Sequence, residues 1–185
     1  MIRWAQTIIA LSMMFVPTKL ESKTPACLSQ YGLVARAPFD KYPARTVTRS
    51  WRVPDVRRGD AHLYRTALRG ASAGPPDFAG IYRLVRLGCG AGSACPAFVN
   101  SETARVTFAR ELRVVSWMPN DLAPDDRSAP ERLTYRKDSR LLVVLGVRNE
   151  DARTSGFTLY EWRGERLHLI RFVPHAQLCS RADSQ

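Results

Sequence analysis

The residues best suited to chemistry in this sequence are two cysteines and the glycine-rich segment between them. Cys89 and Cys95 enclose five residues, 90–94, and two of these are glycines. Glycine adopts many backbone conformations, so this link can bring the two thiols within bonding distance. A redox pair usually has two intervening residues, and no histidine lies nearby in the sequence to share a metal. We predict a Cys89–Cys95 disulfide, with redox or metal-binding use as the alternative.

The tied loop is predicted to be a binding element. A preorganised loop loses little entropy when it enters the cleft of a partner, which suits an inhibitor-like protein. A phosphate-binding loop would instead need a Gly-Lys-Ser/Thr sequence that opens a helix, whereas Pro96 opens a predicted strand. The predicted contact residues of the loop are Gly88, Cys89, Gly90, Gly92 and Cys95.

A second candidate surface is rich in arginine. The chain carries 28 basic and 17 acidic residues, a net charge of +11. Arginines that share a face attract anions, so we predict an envelope protein, an anionic polymer or a lipid headgroup as partner. No nucleic-acid-binding motif accompanies them, and nucleic acid is not expected. The crowded arginines are Arg45, Arg49, Arg52, Arg57, Arg58, Arg65 and Arg69. The predicted binding residues among and beside them are Trp51, Arg52, Arg57 and Arg58.

The N-terminus is typical of a secretory signal. Arg3 precedes a mostly apolar segment, 4–16, which Pro17 ends. This segment is too short for a membrane-spanning helix and has the length of a signal-peptide core. We predict a signal peptide over residues 1–22 and a periplasmic or secreted protein with no transmembrane span. The alternatives are a lipoprotein processed at Cys27 and an uncleaved amphipathic helix.

Export also predicts the state of the remaining cysteines. Cysteines pair in oxidising compartments. Cys27 and Cys179 lie near the two ends of the mature chain, and we predict that they form a second disulfide.

The pattern of apolar residues predicts a mostly β, α+β domain. Residues 23–60 are interrupted by prolines and are predicted to form an irregular arm, followed by one domain over 61–179 and a tail over 180–185. Residues 61–73 are predicted to form a helix, with Leu63, Ala67 and Ala71 on one face and Asp60 as its cap.

Alternating strands and turns follow this helix and predict a twisted antiparallel meander, stapled by disulfides. Residues 141–145 are apolar on both faces, which places them in a central strand.

One motif resembles a known group. Phe78-Ala79-Gly80-x-Tyr82, followed by Gly88-Cys89-Gly90 and Cys95, is similar to a pattern in small exported proteobacterial proteins of unknown function. In that group the motif is Asn-Phe-Ala-Gly-His-Tyr, and here Asp77 and Ile81 replace the Asn and the His. The resemblance implies export and a disulfide-tied loop. It implies no activity.

The sequence favours a binding protein over an enzyme. It has no G-x-S-x-G motif, and its histidines are His62, His168 and His175. We predict no catalytic residues, metal or cofactor. The predicted function is an exported binding or inhibitor-like protein. The alternatives are a small hydrolase acting on envelope material and a structural accessory of an envelope or secretion assembly.

Overall fold

A computed structural model describes residues 28–47, 52–71, 74–117 and 131–179. The predicted signal peptide, the tail, Trp51, Arg49 and Cys27 lie outside these residues, so the Cys27–Cys179 disulfide stays a prediction.

The described helices are α1 (Gln30–Ala35), α2 (Gly59–Leu63) and α3 (Arg65–Ala71). The strands are β1 (Leu28–Ser29), β2 (Tyr82–Gly90), β3 (Ser93–Asn100), β4 (Val106–Thr107), β5 (Val115–Ser116), β6 (Leu133–Tyr135), β7 (Leu141–Arg148), β8 (Gly156–Arg163), β9 (Arg166–Pro174) and β10 (Leu178–Cys179).

Eight of the strands form one antiparallel sheet. Its order is β2-β3-β5-β7-β8-β9, with β4 paired to β3 and β6 paired to β7. The two long hairpins, β2–β3 and β8–β9, are therefore at opposite ends of the sheet order. The predicted mostly β fold with an antiparallel meander is confirmed.

The strand predicted to be central is buried on both faces. Residues Leu141 to Leu145 of β7 are at most 3% exposed. Leu142 and Val144 face a core with the aromatic residues of β2, β3 and β8. Leu141 and Val143 face a second core that includes Phe39. A continuous apolar run therefore marks a strand with a core on each side.

The described part of the predicted helix, residues 61–71, forms as two short helices, and its buried face was predicted wrongly. Tyr64 separates α2 from α3. Leu63 and Ala67 are exposed, whereas Ala61 and Leu68 are buried against β2 and β3. Ala61, Tyr64 and Leu68 also repeat at helical spacing, and this stripe buries larger apolar side chains than the predicted one, which favours its packing.

Residues 28–47, predicted as part of an irregular arm, contain regular elements that cover the sheet. Ser29 caps α1 by accepting a hydrogen bond from the Gly32 N–H. Phe39 begins a 3-10 turn and is 4% exposed. The Ser139 hydroxyl donates to the Phe39 carbonyl at 2.8 Å, which fastens the arm beside β7. At the far end of the domain, β1 pairs in parallel with β10, with Leu28 opposite Leu178.

The sheet coils, so that its first and last hairpins meet. Trp162 of β8 stacks on Phe98 of β3, with ring centroids 4.2 Å apart. The Arg105 guanidinium, just before β4, pairs with Glu165 in the β8–β9 turn at 3.1 Å. These contacts place the 101–104 turn beside the β8–β9 turn. Two concavities lie on either side of the 101–104 turn, one lined by Glu102 and the other by Thr103.

Candidate functional site

The tied loop is the end of the β2–β3 hairpin. Gly90 lies opposite Ser93, so Ala91 and Gly92 form the turn. A register shift between Gly88 and Gly90 leaves Cys89 diagonal to Cys95. These two residues form the predicted disulfide, with a Cα–Cα distance of 5.8 Å. Gly88, Gly90 and Gly92 are exposed at this hairpin end, whereas Cys95 is buried.

The hairpin end is braced from one side. An added Cβ on Gly92 would lie 2.9 Å from Trp117, so only glycine allows this close packing. The Arg132 guanidinium lies over the Trp117 ring, 3.8 Å from its centroid, and also donates to the Gly92 carbonyl. Ser93 and Ser116 share a hydrogen bond of 2.8 Å. The hairpin end is therefore anchored to β5 and presents its opposite side to solvent.

We expect the double substitution Cys89→Ser/Cys95→Ser to lower the free energy of unfolding by about 2 kcal/mol, because the crosslink closes a short loop. Denaturant unfolding of the oxidised wild type and the variant measures this. The wild type under reducing conditions should lose at least as much stability, because reduction also cleaves the predicted Cys27–Cys179 disulfide. An unchanged midpoint would contradict a stabilising role for the crosslink.

Three of the crowded arginines are divided between two concavities, and the first holds Arg57 and Arg58. We call it the arginine cleft; its volume is about 440 Å³, and Asp55, Thr103 and Arg105 also line it. Arg57 makes a bidentate pair with Asp55, at 2.8 and 2.6 Å. Arg105 is held by Glu165. Within the described ranges Arg58 has no ion-pair partner, so it carries the free positive charge of this cleft.

The Arg57 hydrogen bonds lower the pKa of Asp55 to about 2. This interaction therefore favours the folded protein above the ordinary pKa of 3.8, and the preference is lost as the pH falls towards 2. We expect Arg57→Gln to raise the pKa of Asp55 towards the ordinary value. A carboxyl ¹³C NMR titration measures it.

Arg153→Gln is the matched control, because Arg153 pairs with Asp151 in the same two-residue geometry. That substitution should raise the lowered pKa of Asp151 and leave Asp55 unchanged. A pKa of Asp55 that stays near 2 after Arg57→Gln would contradict the assignment to Arg57.

The other crowded arginines do not join the arginine cleft. The Arg52 N–H donates to the Ser101 carbonyl at 3.0 Å, and its side chain is exposed beside the 101–104 turn. Arg65 and Arg69 are exposed on α3. Arg45 lines the second concavity.

The two predicted binding surfaces are separate. The disulfide-tied hairpin end lies at the start of β3, and the arginine cleft lies past its end. An eight-residue strand puts these ends roughly 23 Å apart. One small contact cannot include both surfaces.

The second concavity was not predicted from the sequence. We call it the indole groove, because the nearly buried Trp162 lines it; its volume is about 720 Å³. Its walls combine apolar side chains with arginines and two glutamates. Its lining includes Arg45, Val47, Ala79, Ile81, Tyr82, Glu102, Arg140, Trp162, Arg163 and Glu165. The lining residues come from short segments that together span more than a hundred positions of the sequence, so no local pattern marks them as a group.

The Phe78-Ala79-Gly80-x-Tyr82 motif builds one wall of this groove. Phe78 and Tyr82 exchange two backbone hydrogen bonds of 2.9 Å, which closes a tight turn before β2. Gly80 has a φ of +81° and approaches the Arg45 carbonyl so closely that a Cβ would collide with it. Burial raises the pKa of the preceding Asp77 carboxyl, which accepts a hydrogen bond from the Leu84 N–H. The motif is therefore a structural turn that sets the arm against β2.

The described residues bring no histidine to a catalytic partner. His62 and His168 contact the carbonyls of Val56 and Arg163, at 3.3 and 3.2 Å. Within 28–47, 52–71, 74–117 and 131–179, no cluster of three His, Cys, Asp or Glu side chains could hold a metal ion. The helices of these ranges include none that is long and apolar enough to cross a membrane.

Comparison of the chain with protein-family models, with curated proteins and with solved structures finds no match. The candidate site is therefore assigned from the contacts and charges of the described residues.

Proposed function

We propose that this protein is an exported, periplasmic binding protein whose partner carries anionic groups, and that the arginine cleft is its contact surface. The observation that carries this proposal is the charge around the 101–104 turn. Arg58, which lines the cleft beside this turn, has no ion-pair partner within the described residues. Its side chain is exposed and available to phosphate or carboxylate groups.

The electrostatics of the whole chain support the same proposal. A net charge of +11 speeds the approach of an anionic partner, and a concave site concentrates the positive potential. Arg57 and Arg105 are already held in place by Asp55 and Glu165. These two guanidinium groups therefore lose little further side-chain freedom when a partner binds.

Export is supported by the Cys89–Cys95 disulfide, because such crosslinks persist in oxidising compartments. The apolar segment at the N-terminus is consistent with this location. Fractionation of cells that express the full chain tests it: we propose that the protein is recovered shortened from the periplasm, and a full-length cytosolic protein would overturn this part of the proposal.

We expect Arg58→Gln to weaken binding to vesicles of phosphatidylglycerol roughly fivefold, because one basic side chain near an anionic surface contributes about 1 kcal/mol. Co-sedimentation over a series of salt concentrations measures it. Arg153→Gln removes the same charge outside the cleft and should change binding little. Equal weakening by both variants would show a response to net charge alone and would contradict the cleft as the contact.

Two further binding measurements identify the source of the anionic groups. Vesicles of phosphatidylcholine should not retain the protein. If soluble polyphosphate binds with the same dependence on Arg58, the cleft recognises phosphate itself; if only vesicles bind, it recognises a lipid surface.

The disulfide-tied hairpin end is a second candidate contact, of the inhibitor-like kind. What favours it is its bracing by Trp117 and Arg132 together with the exposure of Gly88, Gly90 and Gly92. Capture from an envelope extract by immobilised wild type, Arg58→Gln and Cys89→Ser/Cys95→Ser protein distinguishes the two surfaces. Loss of capture in the cysteine variant alone would favour the hairpin end.

A further inference from the structure

Two residues that line the indole groove each have a buried N–H donor without an acceptor. Among the described residues, Trp162 Nε1 and Arg140 Nε are buried and make no hydrogen bond. Both residues line the groove, and they are neighbours across the sheet, since the Trp162 backbone N–H donates to the Arg140 carbonyl at 2.8 Å. A buried donor without an acceptor is destabilising, so a ligand that supplies an acceptor to it gains affinity.

These donors are held in position by the surrounding structure. Trp162 is 3% exposed, and its ring stacks on Phe98 and meets the edge of Tyr82. The Arg140 Nη2 atom pairs with Glu161 at 3.1 Å, which fixes the guanidinium and leaves its Nε without an acceptor. The site is therefore organised before any ligand arrives, which lowers the entropic cost of binding.

The charges around the groove favour an acceptor with a single negative charge. Arg140 and Glu165 are already paired, with Glu161 and Arg105 respectively. In the described part of the chain, this leaves Arg45 and Arg163 without ion-pair partners, opposed by the carboxylate of Glu102. Among the described lining residues, one positive charge is therefore in excess. A carboxylate neutralises this charge, whereas a dianionic phosphate would exceed it beside two glutamates.

The remaining lining favours an apolar portion of the same molecule. Val47, Ala79, Ile81 and Tyr82 contribute apolar surface to the groove. Its volume of about 720 Å³ is in the usual range for small-molecule sites.

We propose that the indole groove binds a small amphipathic carboxylate, with the carboxylate accepting from Trp162 Nε1 or Arg140 Nε and the apolar portion lying on Ile81 and Tyr82. This site goes beyond the proposed contact at the arginine cleft. Arg58 lines the cleft and not the groove, so the two proposals can fail separately.

The test uses dodecanoate as the probe, and dodecanol and dodecyl phosphate as comparison molecules. Isothermal titration of the mature, oxidised protein should show tighter binding of dodecanoate than of either comparison molecule. The double variant Arg45→Gln/Arg163→Gln should weaken dodecanoate binding roughly tenfold while leaving dodecanol binding unchanged, because only the carboxylate is attracted by these two exposed guanidinium groups. Arg58→Gln should leave dodecanoate binding unchanged.

A second measurement needs no change in the groove. In a ¹⁵N–¹H NMR spectrum, the indole N–H resonance of Trp162 should move downfield when dodecanoate binds and stay in place with dodecanol. Trp51→Phe and Trp117→Phe assign this resonance by elimination, because each substitution removes the indole resonance of another tryptophan of the mature protein. Equal binding of dodecanoate and dodecanol would overturn the proposal. An unmoved Trp162 resonance together with an affinity that does not depend on Arg45 and Arg163 would also overturn it.

Discussion

Gly80→Ala is expected to lower the free energy of unfolding by about 3 kcal/mol. Gly80 adopts a φ of +81°, which is strained for alanine, and its added Cβ would collide with the Arg45 carbonyl. The Gly80 N–H also donates to the Lys137 carbonyl at 2.6 Å, so the turn cannot move away without losing this bond. Chemical denaturation of the oxidised protein measures the effect.

Two other glycines separate the causes of this effect. Gly59 has a φ of +57° with nothing within 4 Å of an added Cβ, so Gly59→Ala should show the conformational strain alone, about 1 kcal/mol. Gly70 lies in α3 with open space around it, and Gly70→Ala should be neutral or slightly stabilising. If Gly80→Ala costs no more than Gly59→Ala, the close approach to Arg45 is not what requires glycine.

Phe98→Ala is expected to lower the free energy of unfolding by about 4 kcal/mol, the usual cost of removing a fully buried aromatic ring. Phe98 is 0% exposed. It joins the two ends of the coiled sheet, because its ring lies 4.2 Å from Trp162 and 5.7 Å from Phe78. Thermal and denaturant unfolding measure the loss, and near-ultraviolet circular dichroism reports the packing of Trp162.

Phe98→Leu is the matched control for this substitution. Leucine fills much of the same volume and should cost about 1 kcal/mol, but it removes the ring stacked on Trp162. The circular dichroism signal of the tryptophan should therefore change in both variants, whereas stability should fall strongly only in Phe98→Ala. A loss below 1 kcal/mol for Phe98→Ala would show that Phe98 does not join the two hairpins.

Most strands could be predicted from local pattern. The run at 141–145 is apolar on both faces, and it forms the buried part of β7. The turns around Asp138 and Gly164 separate strands as predicted, because turn residues interrupt the alternation. The Cys89–Cys95 pair could also be predicted, since five intervening residues with two glycines hold the thiols close whatever the rest of the fold does.

The helical segment shows where local pattern fails. Two stripes of apolar residues, one through Leu63 and Ala67 and one through Ala61 and Leu68, have helical spacing. The sheet decides between them, because β2 and β3 present Val85, Leu87 and Val99 to this segment, and the larger Leu68 fills that surface. A local sequence pattern indicates the period of a helix, but it does not indicate the shape of the sheet surface against which that helix packs.

The candidate site could be predicted only in part, for the same reason. Arg57 and Arg58 were predicted from their crowding, yet Asp55 holds the first and leaves the second free. The indole groove could not be predicted, because Arg45, Ile81 and Trp162 meet only when the sheet coils.

The sequence by itself determined the class of fold, the crosslinked hairpin end and the excess of positive charge. Each depends on residue type and on spacing within a few positions. The tertiary structure alone decided which described arginines stay unpaired, that the hairpin end and the arginine cleft are separate, and that Trp162 and Arg140, each with an unpartnered N–H, line one groove. These depend on contacts between distant segments, and the geometry of such contacts comes from packing rather than from the local pattern.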